Sequence, residues 1–210
     1  MNLTTEESEE LRQLIESRDL SNLRRIAVEH VSLGAAVELA CYRATSNGDS
    51  EISDLLDAWA ARVPLLSSAF KTMLSQMKPG RIDMFRPRPF EFFPVNRSDW
   101  DDNDHHLFKG RFDAGLRQSG FGRSSKAFVG SFKEMADNIV QHSGPSAQQP
   151  AKGIIGYCVL DGCMVYAVGD IGRGVLASLQ ENPDWHQLKD SEEALAVISS
   201  ISVVVRIAAF

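Results

Sequence analysis

The chain has 210 residues, 43% of them hydrophobic, and a formal net charge of −6 at pH 7. This length and composition allow one large domain or two small ones with a substantial core. The acidic balance argues against a nucleic-acid-binding protein, because neutralising phosphates requires a basic surface. No apolar run approaches the roughly 20 residues of a membrane span, and the acidic N-terminus is unlike a signal peptide, so we expect a cytoplasmic protein.

Three cysteines, Cys41, Cys158 and Cys163, are spread along the chain without a CxxC pair. An odd number at these spacings is typical of reduced, packed thiols and not of a disulfide framework or a structural zinc site. We therefore expect all three thiols to be packing groups.

Residues 1–78 are predicted to form a helical hairpin or small bundle, because apolar side chains recur there at helical spacing. We expect one helix over 21–44 and another over 50–77, the latter kinked at Pro64. His30 is expected to be packed on the first of these helices, with a phospho-accepting histidine as the alternative. This region would serve in homodimerisation, sensing or binding of a protein partner.

Residues 79–98 are predicted to be an irregular connector rich in proline and phenylalanine. Pro87, Pro89 and Pro94 fall among four phenylalanines, and each proline restricts the residue before it. The connector would cover a hydrophobic surface with its aromatic rings, and docking of a partner is the alternative. A helix with an acidic first turn, and not a metal site, is predicted from 99 to about 119.

The stretch FKEMADNIVQHSG, residues 132–144, is predicted to be an amphipathic helix with one polar edge. Glu134, Asn138 and His142 follow one another at steps of four, so their side chains lie along one side of a helix. An apolar stripe beside them comprises Phe132, Met135, Ala136, Ile139 and Val140. The polar edge faces either water or a ligand, and the helix alone does not decide between them.

A β-hairpin is predicted after this helix. Asp161-Gly162 between two alternating runs is a strong hairpin signal, with strands over 154–160 and 163–168. The second strand leads into VGDIGRGVLASL, where closely spaced glycines suggest backbone that approaches a ligand. The glycine spacing matches neither the dinucleotide fingerprint nor the phosphate-binding P-loop.

The order E-x-x-x-N-x-x-x-H on a helix, a hairpin and then D-x-G-x-G resembles the GHKL superfamily of ATP-binding domains. That superfamily includes histidine-kinase ATPase domains, anti-sigma-factor kinases and gyrase-type subunits. The resemblance covers roughly residues 99–197. It implies an α+β fold, in which the N-terminal helical hairpin or bundle precedes a truncated Bergerat-type α/β sandwich over 99–210. In such a domain ATP lies between the sheet and a mobile lid.

The resemblance also implies roles for individual residues. Asn138 would hold Mg²⁺ through its side-chain oxygen, and Glu134 would polarise an attacking water as the catalytic base. Asp170 would accept a hydrogen bond from the adenine amino group. Gly172 and Gly174 would let the backbone pass close to the nucleotide.

His142 matches a family position that varies, and it would either contact phosphate or close the pocket. The implied chemistry is Mg²⁺-dependent transfer of the γ-phosphoryl group of ATP to protein or to water. A non-catalytic regulatory module with a vestigial nucleotide site is the alternative reading of the same residues.

The chain departs from the family pattern after Asp170. The family has a second glycine-rich box, G-x-G-L-G or R-G-L-G, followed by another helix and further strands, whereas this chain continues to ISVVVRIAAF. Two expectations stay open. The tail is the frameshifted or truncated end of a longer protein, or 198–210 is a strand that completes a minimal sheet.

Overall fold

The computed structural model describes most of the chain between residues 11 and 172. In full, the described residues are 2–3, 11, 13–15, 17–26, 28–45, 49–76, 88–96, 103–142, 152–160 and 163–172, with 180, 183, 185–190 and 193. The helices and strands are β1 Asn2–Leu3, α1 Leu20–Leu23, β2 His30–Val31, α2 Leu33–Thr45, α3 Ser50–Ala60, α4 Pro64–Ser75, β3 Phe90–Asn96, α5 Asn103–Gln118, α6 Ser125–His142, β4 Lys152–Leu160 and β5 Cys163–Asp170. The predicted turn Asp161-Gly162 and the tail 198–210 lie outside the described residues.

The main sheet has the antiparallel order β3-β4-β5. The predicted pairing of two strands by a hairpin is confirmed, since β4 and β5 are antiparallel neighbours. Their register pairs Cys158 with Val165 and Leu160 with Cys163. The side chains of Cys158, Cys163 and Val165 therefore share a face as expected, and that of Leu160 lies outside the described part of the structure. The three cysteines are free and half-buried.

Helices cover both faces of this sheet, giving an α+β fold with three layers. On one face, Phe92 and Ile154 join the core formed with α2, α3 and α4. On the other face, Phe93, Ile155 and Tyr157 join the core formed with α5 and α6. Successive residues of each strand therefore pack into opposite cores, because successive side chains of a strand point to opposite faces of the sheet.

The prediction of one helix over 21–44 is wrong. The chain forms the short α1, then a parallel pairing of β1 with β2, and only then α2. Ser32 explains the late start of α2, because its side-chain oxygen accepts a hydrogen bond from the backbone N–H of Ala35 at 3.2 Å and so caps the helix. His30 is consequently an exposed residue of β2, and its expected packing on a helix is also wrong.

The prediction of one kinked helix over 50–77 is wrong as well, because α3 ends at Ala60 and α4 begins at Pro64. Proline has no backbone N–H to donate, and the first position of a helix needs none. Pro64 therefore starts a new helix where a kink was expected. α2, α3 and α4 pack together through one core, which agrees with a small helical bundle.

The expected irregular connector is wrong over its last part, because 90–96 form the edge strand β3. Pro94 is compatible with that place, since an edge strand has one side free of ladder hydrogen bonds. The predicted helix ending near 119 is confirmed by α5, with Asp104 in its first turn. No helix in the described parts of the chain is long and apolar enough to cross a membrane.

Candidate functional site

The predicted polar edge of α6 is exposed to solvent. The helix directs the buried side chains of Phe132 and Ala136 toward the sheet, while Glu134 and Asn138 are exposed. The two exposed residues are one turn apart, so they share a side of the helix. His142 is the last residue of α6, and its side chain lies outside the described part of the structure.

The apolar stripe beside this edge is narrower than predicted. Phe132 and Ile139 are buried, but Met135 is 41% exposed, so its assignment to the buried stripe is wrong. A turn of about 100° per residue places Met135 at the margin of the core-facing side. Elsewhere on the helix surface, Lys133 forms an ion pair with Asp137 at 2.5 Å.

The D-x-G-x-G motif begins at the end of β5. Asp170 is the last residue of β5, and Gly172 follows it as a half-buried residue. Side chains alternate between the faces of a strand, and Tyr166 and Val168 pack in the core shared with α5 and α6. Asp170 therefore belongs to the α6 face of the sheet. Gly174 lies outside the described residues.

A close contact between α6 and the sheet brings the polar edge of α6 and the D-x-G-x-G motif to the same end of the sheet. Gly153 is the strand partner of Asp170. A Cβ atom built on Gly153 would lie 2.8 Å from Cγ2 of Ile139 and 2.7 Å from the backbone oxygen of Gly169. Such distances leave no space for a side chain, so glycine lets α6 approach the strands here. Because Ile139 follows Asn138 directly, the polar edge is held near the end of the sheet that carries Asp170.

The carboxyl group of Asp170 is electrostatically perturbed although the residue as a whole is exposed. Burial of this group raises its pKa above the ordinary value of 3.8, and a hydrogen bond from the backbone of Gly172 offsets part of the rise. A partly desolvated carboxyl group at a strand end interacts more strongly with a hydrogen-bonding ligand than a fully hydrated one does.

No preformed metal cage accompanies these residues in the described part of the chain. Within it, no group of three or more histidine, cysteine, aspartate or glutamate side chains could hold a metal ion. A surface cavity of about 270 Å³ lies elsewhere, beside α3 and α4, with Asp57, Phe70 and Lys71 in its lining. The described members of the candidate site, Glu134, Asn138 and Asp170, are all exposed to solvent.

Sequence reasoning missed a buried charged group in the core between the sheet, α5 and α6. Glu91 of β3, Arg111 of α5 and Tyr157 of β4 form a hydrogen-bonded set within the core of the α6 face. The available signal was the single carboxylate in the run FEFFPV, which a purely apolar covering segment does not need. Tyr157 lies four residues along β4 from Gly153, the strand partner of Asp170, so this set does not line the site.

No protein-family model matches the chain, and neither does any curated protein or solved structure.

Proposed function

We propose that the chain is a cytoplasmic ATP-binding protein of the GHKL, histidine-kinase-like class, in which residues 99–210 together with the edge strand β3 form a Bergerat-type α/β sandwich. The observation that carries this proposal is that the polar edge of α6 and Asp170 share one end and one face of the sheet. The contact of Ile139 with Gly153 supports it, because that contact holds α6 against the strand paired with the end of β5.

Asp170 is the proposed adenine-recognising residue. Its carboxylate would accept a hydrogen bond from the adenine amino group, and a base without that donor would leave a polar group unpaired and lose affinity. Gly172 and Gly174 would let the backbone approach the nucleotide. His142, at the end of α6, would contact phosphate or close the pocket.

Asn138 is the proposed protein ligand of Mg²⁺. Mg²⁺ is commonly held by one or two protein oxygen atoms together with water and nucleotide phosphates. A single exposed amide oxygen fits an ion that arrives with ATP, and it does not fit one held permanently by the protein. When bound, the ion would neutralise phosphate charge.

Glu134 is the proposed general base, one turn before Asn138. Its exposed carboxylate is free to reach a water molecule or an acceptor hydroxyl group at the γ-phosphate. Removal of a proton from that nucleophile would assist transfer of the phosphoryl group to water or to protein. The remaining contribution to catalysis would come from Asp170 and Asn138, which would position the nucleotide for phosphoryl transfer.

Titration calorimetry with Mg·ATP tests the proposal on the whole chain. We expect saturable binding that weakens by about tenfold or more in Asn138→Ala and in Asp170→Asn, since each loses a charge-assisted or metal interaction. Lys126→Ala and Asp54→Asn are matched controls, because both residues are exposed and Lys126 is about 18 Å from Asn138 along the helix axis. A folded sample that releases no heat with Mg·ATP overturns the proposal.

The alternative function is a non-catalytic regulatory module that binds a protein through the exposed side of α6. Met135 favours it, because a large apolar side chain 41% exposed beside Asn138 is suited to contact with a partner. A protein partner or a second copy of the chain could also dock on the N-terminal helices. Nucleic acid is disfavoured as a ligand by the net charge of −6. Labelled ATP distinguishes the two functions, since a regulatory module transfers no phosphate to itself or to water.

A further inference from the structure

α2 packs tightly against the backbone immediately before Asp170. A Cβ atom built on Gly169 would lie 2.5 Å from Cγ1 of Val37 and 3.0 Å from Sγ of Cys41. Both distances are shorter than ordinary van der Waals contact, so any side chain at 169 would push α2 away from β5. The N-terminal helices thus contact the candidate site from the face of the sheet opposite α6.

Electrostatics agree with this geometry. The pKa of the Cys41 thiol is raised to about 12, first by burial, then by the negative charge of Asp170 and then by that of Glu38. The geometric contact itself is made by Gly169, the residue before Asp170, which packs directly against α2.

We infer that α2 positions the adenine-recognising carboxylate, so that Val37 and Cys41 are positioning residues of the candidate nucleotide site. This inference rests on the proposed function. One peptide unit separates Gly169 from Asp170, and α2 restrains that unit on one face while Ile139 restrains Gly153 on the other. Base recognition requires a carboxylate fixed within about 0.5 Å, so a displacement of α2 must change nucleotide preference.

The first test compares ATP with inosine triphosphate, whose base carries an oxygen in place of the amino group. Wild type should prefer ATP. Gly169→Ala should weaken ATP binding by about tenfold and affect inosine triphosphate less, because only adenine has the exocyclic amino group that donates to the carboxylate in the proposed site. Gly169→Ala combined with Val37→Ala removes the closest atom and should restore the preference.

The controls separate positioning from general stability. Gly130→Ala adds a methyl group on α6 where nothing lies within 4 Å, so it should leave both affinities unchanged. Thermal unfolding of each variant reports stability, which by itself does not alter the ratio of the two affinities. A folded Gly169→Ala variant that keeps the wild-type ratio overturns the inference, whereas a folded wild type that binds neither nucleotide overturns the proposed function together with it.

The second test needs neither nucleotide nor a change at Gly169. It therefore tests the proximity of α2 to the end of β5 even if Gly169→Ala does not fold. Iodoacetamide alkylation of Cys41 is followed by peptide mass spectrometry, with Cys158 and Cys163 as internal references. Asp170→Asn should accelerate alkylation of Cys41 severalfold, because removal of a nearby negative charge favours the thiolate.

Two matched variants calibrate that rate. Glu38→Gln should also accelerate the reaction, because Glu38 likewise raises the pKa of Cys41, and Glu134→Gln, on the outer surface of α6, should have no effect. An unchanged rate in Asp170→Asn overturns the positioning inference while leaving the proposed function standing.

Discussion

Glu91 and Arg111 form a bidentate ion pair in the core between the sheet and α5. Nε of Arg111 donates to Oε2 of Glu91 at 2.8 Å, and Nη2 donates to Oε1 at 2.5 Å. Both side chains are at most 2% exposed. The Tyr157 hydroxyl donates to Oε2 at 2.8 Å, so the carboxylate is held from two neighbouring elements. This ion pair therefore links α5 to the edge strand β3.

Arg111→Met is expected to lower the free energy of unfolding by roughly 3–5 kcal/mol, because it leaves the carboxylate of Glu91 buried without its cation. Burial and the adjacent carboxylate raise the pKa of Tyr157, so its hydroxyl remains a neutral hydrogen-bond donor to Glu91 and supplies no positive charge in place of the guanidinium. Urea denaturation monitored by circular dichroism measures the loss.

The double variant Arg111→Met with Glu91→Gln is the control for this prediction. It removes both charges, so it should recover much of the stability lost by Arg111→Met alone, and the double-mutant cycle gives the coupling. Tyr157→Phe should cost less than Arg111→Met, because the ion pair remains. Equal losses in the single and double variants would contradict a stabilising role for charge pairing.

Gly153→Ala is expected to destabilise the protein by about 1–3 kcal/mol and to weaken Mg·ATP binding, because the added methyl group forces α6 away from the strands. Ile139→Ala should not rescue it. The backbone oxygen of Gly169 remains 2.7 Å from the new Cβ atom after the isoleucine is shortened. Thermal unfolding and calorimetry of the single and double variants check both effects, and full rescue would show that only the helix contact matters.

The elements that the sequence predicted well are those with a complete local signal. The hairpin has a turn dipeptide between two alternating runs, and α6 has both its apolar spacing and its polar edge in one continuous segment. β3 was missed because a strand buried on both faces produces a continuous apolar run without alternation, and the prolines around it favoured irregular structure. Ser32 and Pro64 were misinterpreted for a similar reason. A serine or a proline can lie within a helix or at its start, and here each marks a helix start.

The site could be predicted only as a set of residue types. Glu134, Asn138 and Asp170 carry hydrogen-bonding groups that a motif can identify. Their common place depends on how closely α6 approaches Gly153, which is a property of packing between segments distant in the chain. The approach of α2 to Gly169 is of the same kind, and no local pattern in residues 33–45 indicates it.

Asp170→Asn is expected to leave the protein as stable as wild type, or more stable, at neutral pH. Its raised carboxyl pKa means that the folded chain holds this proton more tightly than the unfolded chain. Stability from this group is therefore present below the ordinary pKa of 3.8 and is lost as pH rises through the higher folded pKa. Asparagine does not titrate, and its amide oxygen still accepts the hydrogen bond from Gly172.

Urea denaturation of wild type and Asp170→Asn between about pH 4 and pH 8 measures this difference. The advantage of the variant should grow with pH and then level off. Asp54→Asn, at an exposed position of α3, is the control and should show no such trend. A variant that gains stability while losing nucleotide affinity is the expected behaviour of a residue kept for binding. A variant less stable than wild type at every pH would assign Asp170 a structural role.

Glu134→Gln is expected to separate chemistry from binding. The side chain is exposed and one turn from Asn138, so the change should leave folding and Mg·ATP affinity near wild type. Loss of a general base should slow release of inorganic phosphate or autophosphorylation by about 10²- to 10⁴-fold. Single-turnover measurement with labelled ATP gives the chemical rate apart from product release. Gln141→Ala, also exposed on α6, is the matched control, and an undiminished rate in Glu134→Gln would transfer the role of base to another group.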